Sequence, residues 1–180
     1  MQTAVQQIGK QAALALGLAA VVLATACGPR APEAPGTQDG AREVLAPFLV
    51  AGADTAALTA ALRPREEDYA AYFEGTEAVA AARRLYDRAW DGGDVLIAPR
   101  DGQTELLVWV ESTDNLRAGI GNTNKFPGAY REAARRLRPG NVVARFRFVA
   151  PGKDVGMAYD GLAYVNGHWA FFPKPWRVLE

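Results

Sequence analysis

The chain has 180 residues, of which 49% are hydrophobic and 22% charged, a composition that excludes an intrinsically disordered, collagen-like or polytopic membrane protein. Its 20 basic residues are balanced by 20 acidic ones, which removes the general attraction to phosphate on which nucleic-acid-binding proteins depend, so we expect no nucleic acid partner. With one cysteine and one histidine, the chain lacks the residues for a zinc-type site, and no phosphate-binding glycine motif is present, so no cofactor or metal is predicted.

An apolar segment without acidic residues, 12–26, follows Lys10 near the start of the chain. It is short for a membrane span and ends in small residues, which is typical of a signal-peptide core. The residues before the only cysteine read Leu23-Ala24-Thr25-Ala26-Cys27. This segment resembles the lipobox of bacterial lipoproteins, although Ala24 stands where leucine is usual. Residues 1–26 are therefore predicted to be a lipoprotein signal peptide.

The resemblance implies that Cys27 becomes the first residue of the mature protein and carries fatty acyl chains, palmitate among them, that anchor it in a membrane. Two or three such chains hold a protein firmly, whereas one holds it only marginally. Gly28 follows the cysteine in place of aspartate, which by the same resemblance favours the outer membrane of a Gram-negative cell envelope, facing the periplasm or the cell surface. Two alternatives remain open, an ordinary secretory peptide cut after Ala26 and an uncleaved anchor.

Residues 27–41 are rich in proline and glycine and contain no large apolar side chain, so they are predicted to form a tether. A single globular domain is predicted over 42–180. Its first half has helical spacing, beginning with Val44, Leu45, Phe48 and Leu49. Further helices are predicted after Asp54, after Pro64 and over Thr76 to Trp90.

Strands follow. The segments Val95 to Ala98 and Glu105 to Val110 are predicted to form a hairpin around Asp101-Gly102, and the second is apolar on both alternations, which indicates a central strand. A helix after Pro127 precedes a strand over Val142 to Val149. Asn166-Gly167 is the preferred pair for a two-residue turn and places Val165 opposite His168.

The element order predicts an α+β fold, with N-terminal helices packed on a four- to five-stranded antiparallel sheet. Over residues 43–177 this order resembles the superfamily of nuclear-transport-factor-2-like (NTF2-like) proteins, in which a curved sheet wraps helices around a pocket. A cystatin-like sheet would have a similar order.

His168 is the only histidine, and the hairpin register places it beside the turn, where we expect a surface residue. As a general base it would need Asp160 or Tyr159 as a partner, but the alternation puts Asp160 on the opposite face. Phe172 and Trp176 would belong to a ligand or partner surface if they were exposed. Arg131 and Arg135 share a helix face that is either solvated or a basic patch for an anionic partner.

The leading hypothesis from sequence is a lipid-anchored envelope protein whose domain binds a small molecule or a partner protein without catalysis. One alternative is a pocketed enzyme that uses Asp160, Tyr159 or His168 as acid and base. Another is a structural subunit of a larger envelope complex.

Overall fold

The computed structural model describes residues 34–179, so the predicted signal peptide, Cys27 and most of the predicted tether lie outside the described residues. The fold is α+β, with helices packed on an open four-stranded antiparallel sheet. The helices are α1 (Gln38–Leu45), α2 (Thr55–Ala60), α3 (Glu66–Tyr72), α4 (Thr76–Asp91), α5 (Thr113–Ala118) and α6 (Ala129–Ala133). The strands are β1 (Glu105–Ser112), β2 (Val142–Val149), β3 (Gly156–Val165) and β4 (His168–Phe171). Short 3₁₀ turns complete the chain at Ala46–Leu49, Gly121–Lys125, Ala134–Arg136 and Pro175–Leu179.

The sheet is a meander in which each strand pairs with the next along the chain, in the order β1-β2-β3-β4. The predicted register of the last hairpin is confirmed, since Val165 pairs with His168 and Leu162 pairs with Phe171. Asn166 and Gly167 both have positive φ angles, as a type I′ turn requires. The prediction that β1 is a central strand is wrong. It is an edge strand, and Lys125 and Arg147 cover its Trp109 by cation–π contacts.

Apolar side chains pack against both faces of the sheet. On one face, Phe146, Phe148 and Trp169 pack with the buried side chains of α1 and the 3₁₀ turn that follows it. On the other face, Phe172 lies among aromatic side chains of α3 and α4, stacked 4.8 Å from the ring of Tyr72. Alternation of apolar side chains along β3 and β4 therefore does not distinguish a core face from a solvent face here.

The folded domain begins before the predicted boundary at residue 42. Helix α1 starts at Gln38, with the Thr37 hydroxyl accepting a hydrogen bond from the Gly40 amide at 3.1 Å. Further back, the Trp169 indole donates to the Pro35 carbonyl at 3.2 Å, and Ala34 is buried. The small residues that made this segment resemble a tether instead permit its close packing on the sheet.

The segment Val95 to Ala98 does not form the predicted strand. Side chains, and not a neighbouring strand, accept the hydrogen bonds of its backbone amides. The Ile97 amide donates to the Thr59 hydroxyl at 3.0 Å. The Tyr159 hydroxyl accepts from the Ala98 amide and donates to the Ala98 carbonyl, each at 2.9 Å. These partners replace the ladder of a hairpin, so Asp101-Gly102 forms a turn without joining two strands.

A β-bulge at Gly161 changes which face Asp160 occupies. In the β2–β3 register Ala144 pairs with Leu162 and Arg145 pairs with Asp160, so Gly161 is passed over. Gly161 has a φ of +111°, which favours glycine. The extra residue puts Asp160 on the same face of the sheet as His168, so the alternation predicted from sequence is wrong at this position.

Candidate functional site

His168 is buried, and the prediction of a surface histidine is wrong. Its Nε2 donates to the carboxylate of Asp68 at 2.9 Å, and the two side chains are only 2% and 0% exposed. Asp68 also accepts hydrogen bonds from the Arg65 amide at 2.7 Å and the Asn166 side-chain amide at 2.8 Å. The carboxylate thus ties the start of α3 to the β3–β4 turn, which is a structural role.

The three residues of the predicted acid–base group are not brought together. The Tyr159 hydroxyl is held by Ala98, on the opposite face of the sheet from Asp160. Asp160 forms an ion pair with Arg145 at 3.1 Å, and burial raises the pKa of its carboxyl despite the positive charges of Arg145, Arg147 and Lys174 nearby. His168 is bonded to Asp68, so each of the three side chains has a different partner.

The predicted ligand or partner surface is also divided. Phe172 is fully buried, which corrects the expectation of an exposed ring, and Trp176 is half-buried with its ring 5.4 Å from that of Tyr130. Arg131 and Arg135 are exposed but line separate hollows. Arg135 is paired with Glu132 at 3.2 Å.

Glu111, which the sequence did not single out, is a buried acid with three donors. Its carboxylate accepts from the amides of Ser112 at 2.9 Å and Asn122 at 2.6 Å, and from the Asn115 side chain at 2.7 Å. Burial alone would raise the pKa of this carboxyl, but the hydrogen bonds outweigh burial and the pKa is lowered. Ionised Glu111 therefore holds the loop after α5 in place through these hydrogen bonds.

An open cleft of about 390 Å³ lies between α4, the segment 94–96 and the residues that follow β4. We call it the α4 groove. Its floor is apolar and aromatic, formed by Leu85, Tyr86, Tyr159, Phe171 and Pro173. Its rim carries the basic side chains of Arg88, Lys174 and Arg177 and one acid, Asp94.

Helix α4 sets the arrangement of the groove. Its buried stripe includes Ala82 and Tyr86, so Arg84 and Arg88, which are four residues apart, lie along the exposed side. Arg88 and Arg177 also line a smaller adjoining hollow of about 260 Å³, to which Arg84 contributes. The two hollows thus form one basic strip beside the aromatic floor.

Two acids lie near the basic strip, Asp94 on the rim of the groove and the partly buried Asp160, whose pKa the charge of Lys174 acts to lower. Within residues 34–179, none of Arg84, Arg88, Lys174 and Arg177 forms an ion pair with a carboxylate. The hydroxyl of Tyr86 donates to the Pro173 carbonyl at 3.3 Å, and burial raises its pKa well above the ordinary value, so it stays neutral. The groove therefore presents guanidinium donors and apolar surface, the combination that binds an anion with an apolar body.

A comparison with protein-family models, one with curated proteins and one with solved structures each found no match. The NTF2-like and cystatin-like resemblances accordingly remain predictions from element order.

Two further findings concern the described part of the chain. No helix within residues 34–179 combines the length and apolar character that crossing a bilayer requires. Nor do three His, Cys, Asp or Glu side chains within this range come together as metal ligands.

The sequence contained a partial signal for the α4 groove. Arg84 and Arg88 have helical spacing, and the segment Lys174-Pro175-Trp176-Arg177 supplies two more cations near the end of the chain. Nothing in the spacing shows that these segments meet, because the contact depends on how the 3₁₀ turn Pro175–Leu179 packs on α4.

Proposed function

We propose that this protein is a lipid-anchored binding protein of the bacterial cell envelope, and that its domain binds a small anionic ligand with an apolar body in the α4 groove. The observation that carries the ligand proposal is a set of basic side chains beside an aromatic floor, none of which forms an ion pair within residues 34–179. Guanidinium groups bind carboxylate and phosphate oxygens through paired hydrogen bonds, while the floor covers apolar atoms.

The anchor proposal rests on the lipobox-like sequence and on the distance along the chain. Ala34, the first described residue, is only seven positions after Cys27. A fully extended chain of that length reaches about 25 Å. A lipid on Cys27 would thus hold the domain close to the membrane surface, where ligands in the envelope are accessible to it.

The anchor is tested in cells fed an alkyne fatty acid. We expect label on the wild-type protein and none on Cys27→Ser, whose sulfur is absent and which should remain unprocessed. Mass spectrometry of the mature wild-type protein should find an acylated Cys27 at its N terminus. An unmodified thiol, or a retained leader in the wild type, would refute the anchor.

The groove is tested with two anionic probes, decanoate and decyl phosphate, and the uncharged analogue decanol. Isothermal titration should show tighter binding of at least one anion than of decanol, with affinity falling as salt rises. A preference for decanoate or for decyl phosphate distinguishes a carboxylate ligand from a phosphate ligand.

Matched variants locate the binding. Arg88→Gln combined with Arg177→Gln should abolish the preference for the anions, because it removes two cations of the rim. Arg131→Gln combined with Arg135→Gln removes the same charge from other hollows and should change nothing. Equal loss in both double variants, or equal affinity for decanoate, decyl phosphate and decanol, would contradict a specific anion site.

A further inference from the structure

The chain that follows α1 and continues through α2, residues 46–61, has an outer surface that is nearly free of charge. Between Glu43 and Arg63 the only charged residue is Asp54. Asp54 is exposed, and the other exposed side chains in this stretch are small or apolar, namely Ala46, Pro47, Val50, Ala51, Ala56, Ala57 and Ala60. We call residues 46–61 the α1–α2 face. A charged exterior is usual for a soluble domain, so this face stands out as a candidate contact surface.

The α1–α2 face includes an apolar groove of about 420 Å³, whose lining has Glu43 as its one charged residue. Val44, Pro47 and Leu58 line its apolar walls. Ala34 and Pro35 also line it, so the first described residues of the chain, which are seven positions after Cys27 in the sequence, lie at this groove.

The short connection limits which side of the domain can approach the membrane. A chain of seven residues spans at most about 25 Å. A domain of this size has a radius of gyration of about 15 Å and is therefore roughly 40 Å across. With Cys27 held at the bilayer, the side where the chain enters must stay nearer to the lipid than the far side.

We propose that the α1–α2 face rests on the lipid bilayer. The proposal depends on the lipid anchor proposed above. Val50 is the most exposed large apolar side chain of the face, 64% exposed at a turn between Leu49 and Ala51. The contact is apolar, since Glu43 and Asp54 are both acidic and give no attraction to anionic headgroups.

A small apolar contact is sufficient to orient a domain that is already tethered to the membrane. A short linker gives the domain a millimolar effective concentration at the surface, so an interaction too weak to recruit the free domain still orients the anchored one. Small side chains and one valine would not hold an untethered protein on lipid. The expectation is therefore orientation of the anchored protein.

The test uses the full chain, expressed with its leader and reconstituted into phosphatidylcholine vesicles. Cys27 is the only cysteine, and the lipid occupies its sulfur, so one introduced cysteine provides a unique thiol for a fluorophore. The test sites are Val50→Cys and Ala57→Cys on the α1–α2 face. The matched control is Val155→Cys, a valine that is 77% exposed between β2 and β3.

Brominated phosphatidylcholine should quench the fluorophore at positions 50 and 57 several-fold more than at 155, and the difference should persist in high salt. Equal quenching at the three sites, or stronger quenching at 155, overturns the proposal. Flotation of unlabelled wild-type protein with the vesicles reports the anchor separately. Failure to float would refute the anchor and this inference together, whereas flotation without selective quenching refutes the orientation alone.

Discussion

The imidazole of His168 and the carboxylate of Asp68 form a buried pair, with Nε2 and Oδ2 2.9 Å apart. The pair joins residues that are 100 positions apart in the chain, at the start of α3 and at the start of β4. The Asp68 carboxylate also accepts hydrogen bonds from the Arg65 amide and the Asn166 side-chain amide. This one carboxylate therefore connects α3, the β3–β4 turn and His168.

Asp68→Asn should lower the free energy of unfolding by about 3 kcal/mol, since breaking one side of a buried pair leaves the other polar group without its partner. Urea unfolding followed by circular dichroism measures this change. Asp154→Asn, at an exposed loop acid, should change stability by less than about 0.5 kcal/mol. An unchanged midpoint in Asp68→Asn would show that the pair does not support the fold.

Glu111→Gln should make stability less sensitive to acid. The folded-state pKa of Glu111 is lowered, because three hydrogen bonds outweigh the opposing effect of burial, so its stabilising contribution is present above the unfolded pKa of roughly 4.3 and is lost as pH falls through the folded pKa. The stability difference between wild type and variant should therefore shrink on acidification below that range.

Urea unfolding between about pH 3 and pH 7 measures this difference for Glu111→Gln. The control is Glu105→Gln on the same strand, whose exposed carboxylate accepts one hydrogen bond, from the Gly152 amide at 3.1 Å. A difference at Glu111 that stays constant with pH would rule out the carboxylate as the group responsible.

Gly161→Ala should destabilise the domain by about 3 kcal/mol or more, because a Cβ built there would lie 1.8 Å from the Phe172 carbonyl oxygen. Gly152→Ala is the matched control, with a φ of +68° and no atom within 4 Å of the added carbon. It should cost about 1 kcal/mol from backbone strain alone. Thermal unfolding of the two variants separates the effect of crowding from that of backbone strain. Equal losses of stability in the two variants would argue against a close approach of Gly161 to the Phe172 carbonyl.

Tyr159→Phe should loosen the segment at Ala98 by removing both hydrogen bonds of the hydroxyl, at a cost of about 1–2 kcal/mol. Hydrogen exchange of the Ala98 amide should accelerate. Tyr164→Phe on the same strand is the control, since its hydroxyl has no hydrogen bond to another described residue among 34–179. If the Ala98 amide exchanges at the wild-type rate in Tyr159→Phe, the hydroxyl does not hold this segment.

Local features of the sequence determined several elements of the fold. Helix α4 could be predicted from its apolar stripe and its terminal glycines, and the structure ends it at Asp91 with Gly92 as the cap. The register of the β3–β4 hairpin followed from Asn166-Gly167, since a two-residue turn leaves one way to pair the strands. These signals lie within one element or one turn, so they needed no knowledge of distant contacts.

Tertiary structure decided the features that join distant segments. The bulge at Gly161 places Asp160 on the face opposite to the predicted one. His168, which was expected at the surface, is buried against Asp68. The α4 groove unites Arg88 with Lys174 and Arg177, which lie more than 80 positions further along the chain. Side-chain periodicity reports which way a residue points within its own element, whereas partners across the core depend on packing of the whole chain. The sequence alone therefore predicted the α+β class, which the fold confirms, and the lipobox-like segment, which stays a prediction, while the candidate binding site required the fold.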